Sequence, residues 1–453
     1  MNHLIDIILF PLYVALFALF FNWRRKKIAD PVLKKYHRIG FWIKIFSAFA
    51  YIIYSLNLAK LDSVFLYYPE GLNIAKLILK DFSNIHLLFI PGQDFDTDLL
   101  ADSFNKGYFK SESNFFIARL VTLFSFFSFG SYSVITLFFS MISFAGVWRL
   151  FRFFYDQYPH LHKALAISIL YLPNFVFWSS GILKDPLCTG MMGFVTYGLY
   201  KIIIKKESIV KNAAAVLFAG AVLGLVKDYI LASYLPFLFL FFAGNRIRKI
   251  ERPAVKVILM SFIGLIAAVS FFLAKDMIVG GIVDKLAESV QDMQTSFMRI
   301  SGLAESSFSL GAEFDGTPAG LVKIAPFGIA ASLYRPFLWE AKGISFFLSA
   351  AESTVVMLFT LYVFIKAGPF TFFKSIIKDP MILFCFMFAL VFALFVGITT
   401  LNFGTLVRYK IPCMPFYIIS LVLILDRYKR KKLQKAAAIE KDVNIIGTNP
   451  PLS

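Results

Sequence analysis

Apolar runs of about 20 residues, separated by short basic clusters, set the pattern of this chain. The first, Leu4–Phe21, is followed by Arg24, Arg25, Lys26 and Lys27, and the second, Phe41–Ala59, is preceded by Lys34, Lys35 and Arg38. A helix of that length crosses roughly 30 Å of hydrocarbon, and inside lipid a helix satisfies its own backbone hydrogen bonds. The runs therefore predict transmembrane helices. Lys and Arg between spans favour the cytoplasm, which orients each run in turn.

On that rule Leu4–Phe21 is an uncleaved span with its N-terminus outside, because a secretory signal carries its basic cluster before the apolar run, not after it. Phe41–Ala59 returns outward and delivers Asp62 to the outer surface. Residues 60–114 form the most polar long stretch. Counting Phe115–Phe129 as a span would put Arg149 and Arg152 outside, so it predicts a helix lying in the interface. Ser131–Leu150 then crosses inward, Ala164–Leu183 outward, Pro186–Ile204 inward, Ala213–Val226 outward and Tyr229–Ala243 inward. Lys256–Leu273 leads to a second outer segment, residues 276–342, rich in Gly, Ser and acidic residues. Ile344–Ile365 crosses inward, Pro380–Thr399 outward and Ile411–Leu425 inward, toward a basic cytoplasmic tail.

The expected fold is an all-α integral membrane protein of about eleven transmembrane helices, with two extracytoplasmic loop regions carrying juxtamembrane helices. Residues 1–40 hold an extra N-terminal span and a basic cytoplasmic loop. Residues 41–275 hold a transmembrane core whose first outer loop is 60–130, and residues 276–343 are the second outer loop. Residues 344–430 supply the C-terminal spans, and 431–453 a polar, disordered cytoplasmic tail.

Composition agrees with this picture. Of 453 residues, 58% are hydrophobic and 16% charged, and the mean hydropathy is +0.72, more apolar surface than one water-soluble core can hide. The formal charge of +18 would suit a nucleic-acid partner, but the cations sit in clusters between apolar runs, not along one soluble face, which argues against nucleic acid. Cys188, Cys385 and Cys413 lie in or beside apolar segments and match no metal or redox spacing. The five histidines form no HExxH, and no GxxxxGK[ST] is present, so no nucleotide is expected.

Charges next to hydrocarbon are costly and so are the informative ones. Asp62 stands in KLDSVFLYYPEGLNIAK, just beyond the second span. Lys184 and Asp185 stand in WSSGILKDPLCTG, Lys227 and Asp228 in LGLVKDYILASYLP, and Arg408 with Tyr409 in FGTLVRYKIPCMPFY. Each has a plainer alternative. Asp62 and Asp185 could cap the helices that follow them, and Lys227 could snorkel to headgroups. For Arg408, placed against the inward bias of positive charge, a functional role is favoured. Arg335, Trp339 and Glu340, in IAPFGIAASLYRPFLWEAKG, could bind sugar hydroxyls and phosphate or belong to an interfacial belt. The run DFDTDLLAD, with Asp94, Asp96, Asp98 and Asp102, reads as a capped acidic loop before it reads as a cation site.

Together these turns resemble the GT-C class of integral membrane glycosyltransferases, mannosyltransferase-like or aminoarabinose-transferase-like, which use a polyprenyl-phosphate sugar. Asp62, Tyr67 or Tyr68, and Ala75 match the acid, tyrosine and small residue after an early outward span. The stretch from Asn114 to Phe154 resembles the juxtamembrane helix leading into a span, LKDPLCTGMMGFVTYGLY the turn with the second acid, and RYKIPCMPFYIIS the RYxxPxxP pattern. The likeness covers most of residues 41–426, with an extra span ahead of it and no second acid beside Asp62. It implies a bacterial inner-membrane enzyme whose lipid-linked donor supplies the driving force, with Asp62 as base. Lys227, Arg335 and Arg408 would neutralise the departing phosphate, and Asp185 would orient a cation or, with Asp62, hold a divalent metal such as Mg, Mn, Ca or Zn. Two rival functions are an O-antigen or capsule polymerase or ligase, gripping pyrophosphate with outer arginines, and a non-catalytic transporter or envelope scaffold.

Overall fold

The structure is a computed structural model that describes residues 3–57, 61–99, 107–248, 308–310, 318–341 and 343–447. The chain forms two compact units, Met1–Leu235 and Pro236–Ser453. The expected span Lys256–Leu273 and most of the second outer segment lie outside the described residues.

The first unit opens with α1 (His3–Lys26) and α2 (Pro31–Asn57), joined by a turn in which Asp30 Oδ1 accepts from Val32 N at 2.7 Å and Oδ2 accepts from the Tyr155 hydroxyl at 2.6 Å. One π-helical turn, Ser63–Tyr67, leads into α3 (Tyr68–Lys80). After α4 (Glu112–Ser128) the chain passes through two left-handed residues, Phe129 at φ 51° and Gly130 at φ 72°, which end the helix and turn it into α5 (Tyr132–Tyr155). Thr122 Oγ1 on α4 donates to the Gly71 carbonyl of α3 at 2.9 Å. The Phe115–Phe129 run is thus a short helix laid against α3, separate from the long spans.

Helix α5 and α8 (Lys184–Tyr200) are the packed centre of this unit. A Cβ on Gly146 would fall 1.8 Å from the Gly190 carbonyl oxygen, and one on Gly193 would fall 1.9 Å from that of Gly146. Small residues let the two backbones touch, the usual device where lipid offers no hydrophobic drive between helices. The pairings Ser143 with Thr189 and Gly146 with Gly193 rise together along both chains, so α5 and α8 run parallel.

Between them the expected span Ala164–Leu183 is not a continuous helix. It breaks into α6 (His162–Leu170) and α7 (Pro173–Trp178), because Pro173 withholds a backbone donor and Ser179, Ser180 and Gly181 end the second piece. Helix α9 (Ile209–Arg248) carries non-helical geometry at Lys227, φ −151° and ψ 82°. Gly198 on α8 lies against Val216 before that break, and Thr196 hydrogen-bonds Tyr234 after it. Both lie toward the same end of α8, while Lys227 reaches Asp185 at the other, so the chain reverses at Lys227, where the tight turn was expected.

In the second unit α10 (Pro318–Tyr334) is followed by α11 (Ile344–Ala367), α12 (Pro369–Lys378), α13 (Pro380–Thr399), α14 (Phe403–Tyr409) and α15 (Met414–Gly447). Helix α10 falls in the segment expected as the second outer loop, yet it packs on α13, where a Cβ on Gly397 would meet the Gly328 carbonyl oxygen at 1.9 Å. Among the described residues there is no β-strand, and seven helices are long and apolar enough to cross a membrane, or eight if the bent pair α14 and α15 counts as one span. The chain is a multi-pass all-α membrane protein. The expected count of about eleven is not confirmed among the described residues: one expected span lies outside them, one is broken, and two share the stretch of α9, which reverses at Lys227.

Gly146→Ala should lower the melting temperature of the purified protein sharply, whereas Gly220→Ala, whose Cβ meets nothing within 4 Å, should leave it unchanged. The Tyr155 hydroxyl and the α2 amides hold Asp30 below the usual carboxylate range. A lowered folded-state value means stability that is present at neutral pH and lost as pH falls through it. Asp30→Asn should therefore flatten the acid limb of a melting-temperature profile below about pH 4.

Candidate functional site

In the first unit the polar side chains gather at the start of α8, and glycine makes this possible. A Cβ on Gly181 would fall 2.1 Å from Tyr51 Cζ, so the fully buried Tyr51 ring lies directly on the turn between α7 and α8. The Tyr51 hydroxyl donates to Ser63 Oγ at 3.0 Å, and the Tyr132 hydroxyl does so at 3.1 Å. Ser63 follows Asp62, so two tyrosines from α2 and α5 fix the turn that carries the acid. Asp62 is half-buried and makes no side-chain cap to the turn it precedes, which removes capping as its role.

Tyr67 closes the same turn. Its hydroxyl accepts from Tyr108 at 2.8 Å and reaches Asn114 Oδ1 at 3.4 Å. Beside Asn114, Ser113 Oγ accepts from Lys184 Nζ at 2.7 Å. Tyr68 points elsewhere, donating to the Gly130 carbonyl at 2.7 Å; burial pushes its hydroxyl up to about 12, so it remains a donor at neutral pH.

Asp185 is fully buried in the first turn of α8, where a carboxylate suits the helix dipole. Its Oδ1 accepts from Lys227 Nζ at 2.6 Å, and Lys227 is 6% exposed. The pair joins α8 to the point at which α9 reverses. Capping and snorkelling therefore give way to an ion pair. Thr189 lies beside Ser143, which sets Asp185 level with Phe139, about 10 Å below the Tyr132 end of α5 at roughly 1.5 Å per residue. The pair is thus recessed in the bundle rather than standing at a surface turn.

A second buried cation was not singled out from the sequence. Lys44, in the middle of α2 and 4% exposed, donates at 2.6 Å to both the carbonyl and the hydroxyl oxygen of Ser179, at the end of α7. It satisfies carbonyls that the broken α6 and α7 helices leave without a continuing helix. A lone lysine inside an apolar run was the available signal.

In the second unit Arg335 forms a two-pronged ion pair with Glu340 and donates to the Ser309 carbonyl at 2.8 Å. Glu340 also accepts from Phe337 N at 2.9 Å. The two residues clamp their own loop together. Trp339 is 80% exposed and stacks on Phe337, as an interfacial aromatic does. Arg408 and Tyr409 are half-buried at the end of α14, with the guanidinium 5.9 Å from the Tyr409 ring centre. The deeper cation there is Lys410, which donates to the Arg335 carbonyl and to Ser353 Oγ, both at 2.8 Å. In the acidic run Asp96 accepts from Asp98 N at 2.9 Å, a loop-closing bond, while Asp102 lies outside the described residues.

The donor set does not fit a divalent metal. Asp185 is already neutralised by a lysine, and among the described residues no group of three or more Asp, Glu, His or Cys side chains could hold an ion. What the site offers is Asp62, which does not cap the turn it precedes, a row of hydroxyls and Lys184. Comparison of the chain with models of known protein families, with curated proteins and with solved structures gave no match.

Removing one member of a buried ion pair costs about 3–5 kcal/mol. Asp185→Asn and Lys227→Met should each lower the denaturation midpoint strongly, and the double variant should lose less than the two losses summed. An additive double variant would show that the pair is not coupled.

Proposed function

We propose that the chain is a membrane glycosyltransferase that moves a sugar from a polyprenyl-phosphate carrier onto a lipid, glycan or protein acceptor, at the face of a bacterial inner membrane opposite the basic clusters. The supporting observation is the gathering in one unit of Asp62, the Tyr51, Tyr67 and Tyr132 hydroxyls, and Lys184 with its Asp185–Lys227 anchor, beside the paired helices α3 and α4.

In this reading the acceptor oxygen forms a bond to the anomeric carbon as the bond from that carbon to the carrier phosphate breaks. The acceptor proton passes to Asp62, and the negative charge stays on the phosphate. Lys184, half-buried beside Ser113, faces that charge, while Asp185 and Lys227 neutralise each other and hold the turn. Arg335, engaged by Glu340, carries no step, which weighs against a polymerase gripping pyrophosphate through it. Arg408 and Tyr409 carry no step either.

A transporter is the second reading, favoured by Lys44 at mid-helix beside two broken helices. Glycolipid and glycan profiling of a deletion strain separates them. The transferase reading expects a missing product that wild type restores and Asp62→Asn does not. Restoration by Asp62→Asn would remove Asp62 as base, and unchanged glycans with Lys44-dependent vesicle uptake of an anionic solute would establish transport.

A further inference from the structure

A cavity of about 560 Å³ opens in the first unit, at the end of the bundle away from Asp62, between the ends of α1, α5 and α8 and the start of α9. Six cations line it: Arg24, Lys27, Arg149, Arg152, Lys201 and Lys211. The one carboxylate in the lining, Glu207, is already paired with Lys201. Asp156 lies close enough to act on Arg152, Lys201 and Lys205, but it does not line the cavity.

A loose cluster of cytoplasmic lysines would need no further account. The two central arginines are not loose. The Arg149 guanidinium lies 4.0 Å from the Phe194 ring centre and donates to the Ala145 carbonyl at 2.7 Å. Arg152 lies 5.1 Å from the Tyr197 ring centre. Arg24 and Arg152 both press their positive charge on Arg149. Aromatic faces hold these like charges together in a half-buried place, where mutual repulsion is least screened. Two donors are moreover left over: Arg152 Nε and the Tyr197 hydroxyl are buried and find no hydrogen-bond partner among the described residues. A buried donor without a partner is destabilising, and an anion in the cavity would relieve both that cost and the repulsion.

The surroundings indicate the kind of anion. Phe21 and His37 line this cavity and also a neighbouring groove floored by Ala15, Ala18, Leu19 and Phe41, with Arg25 and Arg38 in its lining. A basic cavity for a headgroup beside an apolar groove for an acyl chain is the arrangement a phospholipid needs.

We propose that this cavity binds a phosphate ester, supplied by the headgroup of an anionic phospholipid of the inner leaflet. The site is independent of the glycosyl-transfer reading.

The test uses the full-length protein in neutral detergent, titrated separately with phosphatidylglycerol, phosphatidylcholine and inorganic pyrophosphate. Wild type should bind phosphatidylglycerol saturably and more tightly than phosphatidylcholine, and Arg149→Gln with Arg152→Gln should abolish the preference. Lys27 and Lys211 are exposed, so Lys27→Gln with Lys211→Gln keeps the fold and should weaken binding about tenfold. Saturable pyrophosphate binding lost in the same variants would support the phosphate site with a soluble source. Equal affinity for the two lipids without pyrophosphate binding, or binding unchanged in both variants, would overturn the proposal.

Discussion

A charge or an unpaired backbone group surrounded by hydrocarbon must find its partner inside the protein, and this constraint shapes the first unit more than any other. Among the departures from regular helix there, three are the α6–α7 break, the start of α8 and the reversal of α9. Each is met by a lysine. Lys44 takes the carbonyl end of α7, Lys184 ties the start of α8 to Ser113, and Lys227 reaches from the α9 reversal to Asp185. The irregular backbone and the buried cations are therefore one design. Glycine sets its dimensions: Gly181 lets Tyr51 lie on the turn, and Gly146, Gly190 and Gly193 let α5 and α8 touch.

From that core the two ends of the bundle diverge in chemistry. Toward Tyr132 lie hydroxyls, amides and Asp62, with Tyr132 bonded to Ser63 and Tyr67 to Asn114 on either side of the turn. At the other end lie the basic clusters of α1, α5, α8 and α9, gathered around one cavity. Sequence-distant cations meet there as the orientation rule requires, since spans of alternating direction return each cluster to the same side.

Much of this was legible in the sequence because the signals are local. Run length gave the long helices, and Phe115–Phe129 was separable as a non-spanning helix from the charges that follow it. The turn at Lys227 was legible from a charged pair between two apolar stretches. The break after Leu170 was not, although Pro173 marks it, because the apolar run is long enough to span and a proline inside a membrane helix is often tolerated. Pairing was the least legible. Lys44 meets carbonyls 135 positions away, and Asp185 meets Lys227 42 positions away, and no periodicity encodes such contacts. Arg335 could be read as a ligand for sugar and phosphate or as part of an interfacial belt, and nothing in sequence signals that Glu340, five positions on, folds back to occupy it. The packing of helix α10 on α13 was not legible, because the Gly, Ser and acidic residues of its segment mark an outer loop with juxtamembrane helices.

The central claim is that the Asp62 side and the basic side of the first unit lie on opposite faces of one membrane. Lys80, exposed on α3, and Lys34, exposed at the start of α2, report on the two ends, and the three native cysteines are buried. A membrane-impermeant maleimide applied to intact cells should label Lys80→Cys and spare Lys34→Cys, with the order reversed in inverted vesicles. Labelling of both positions from the same side would contradict the account.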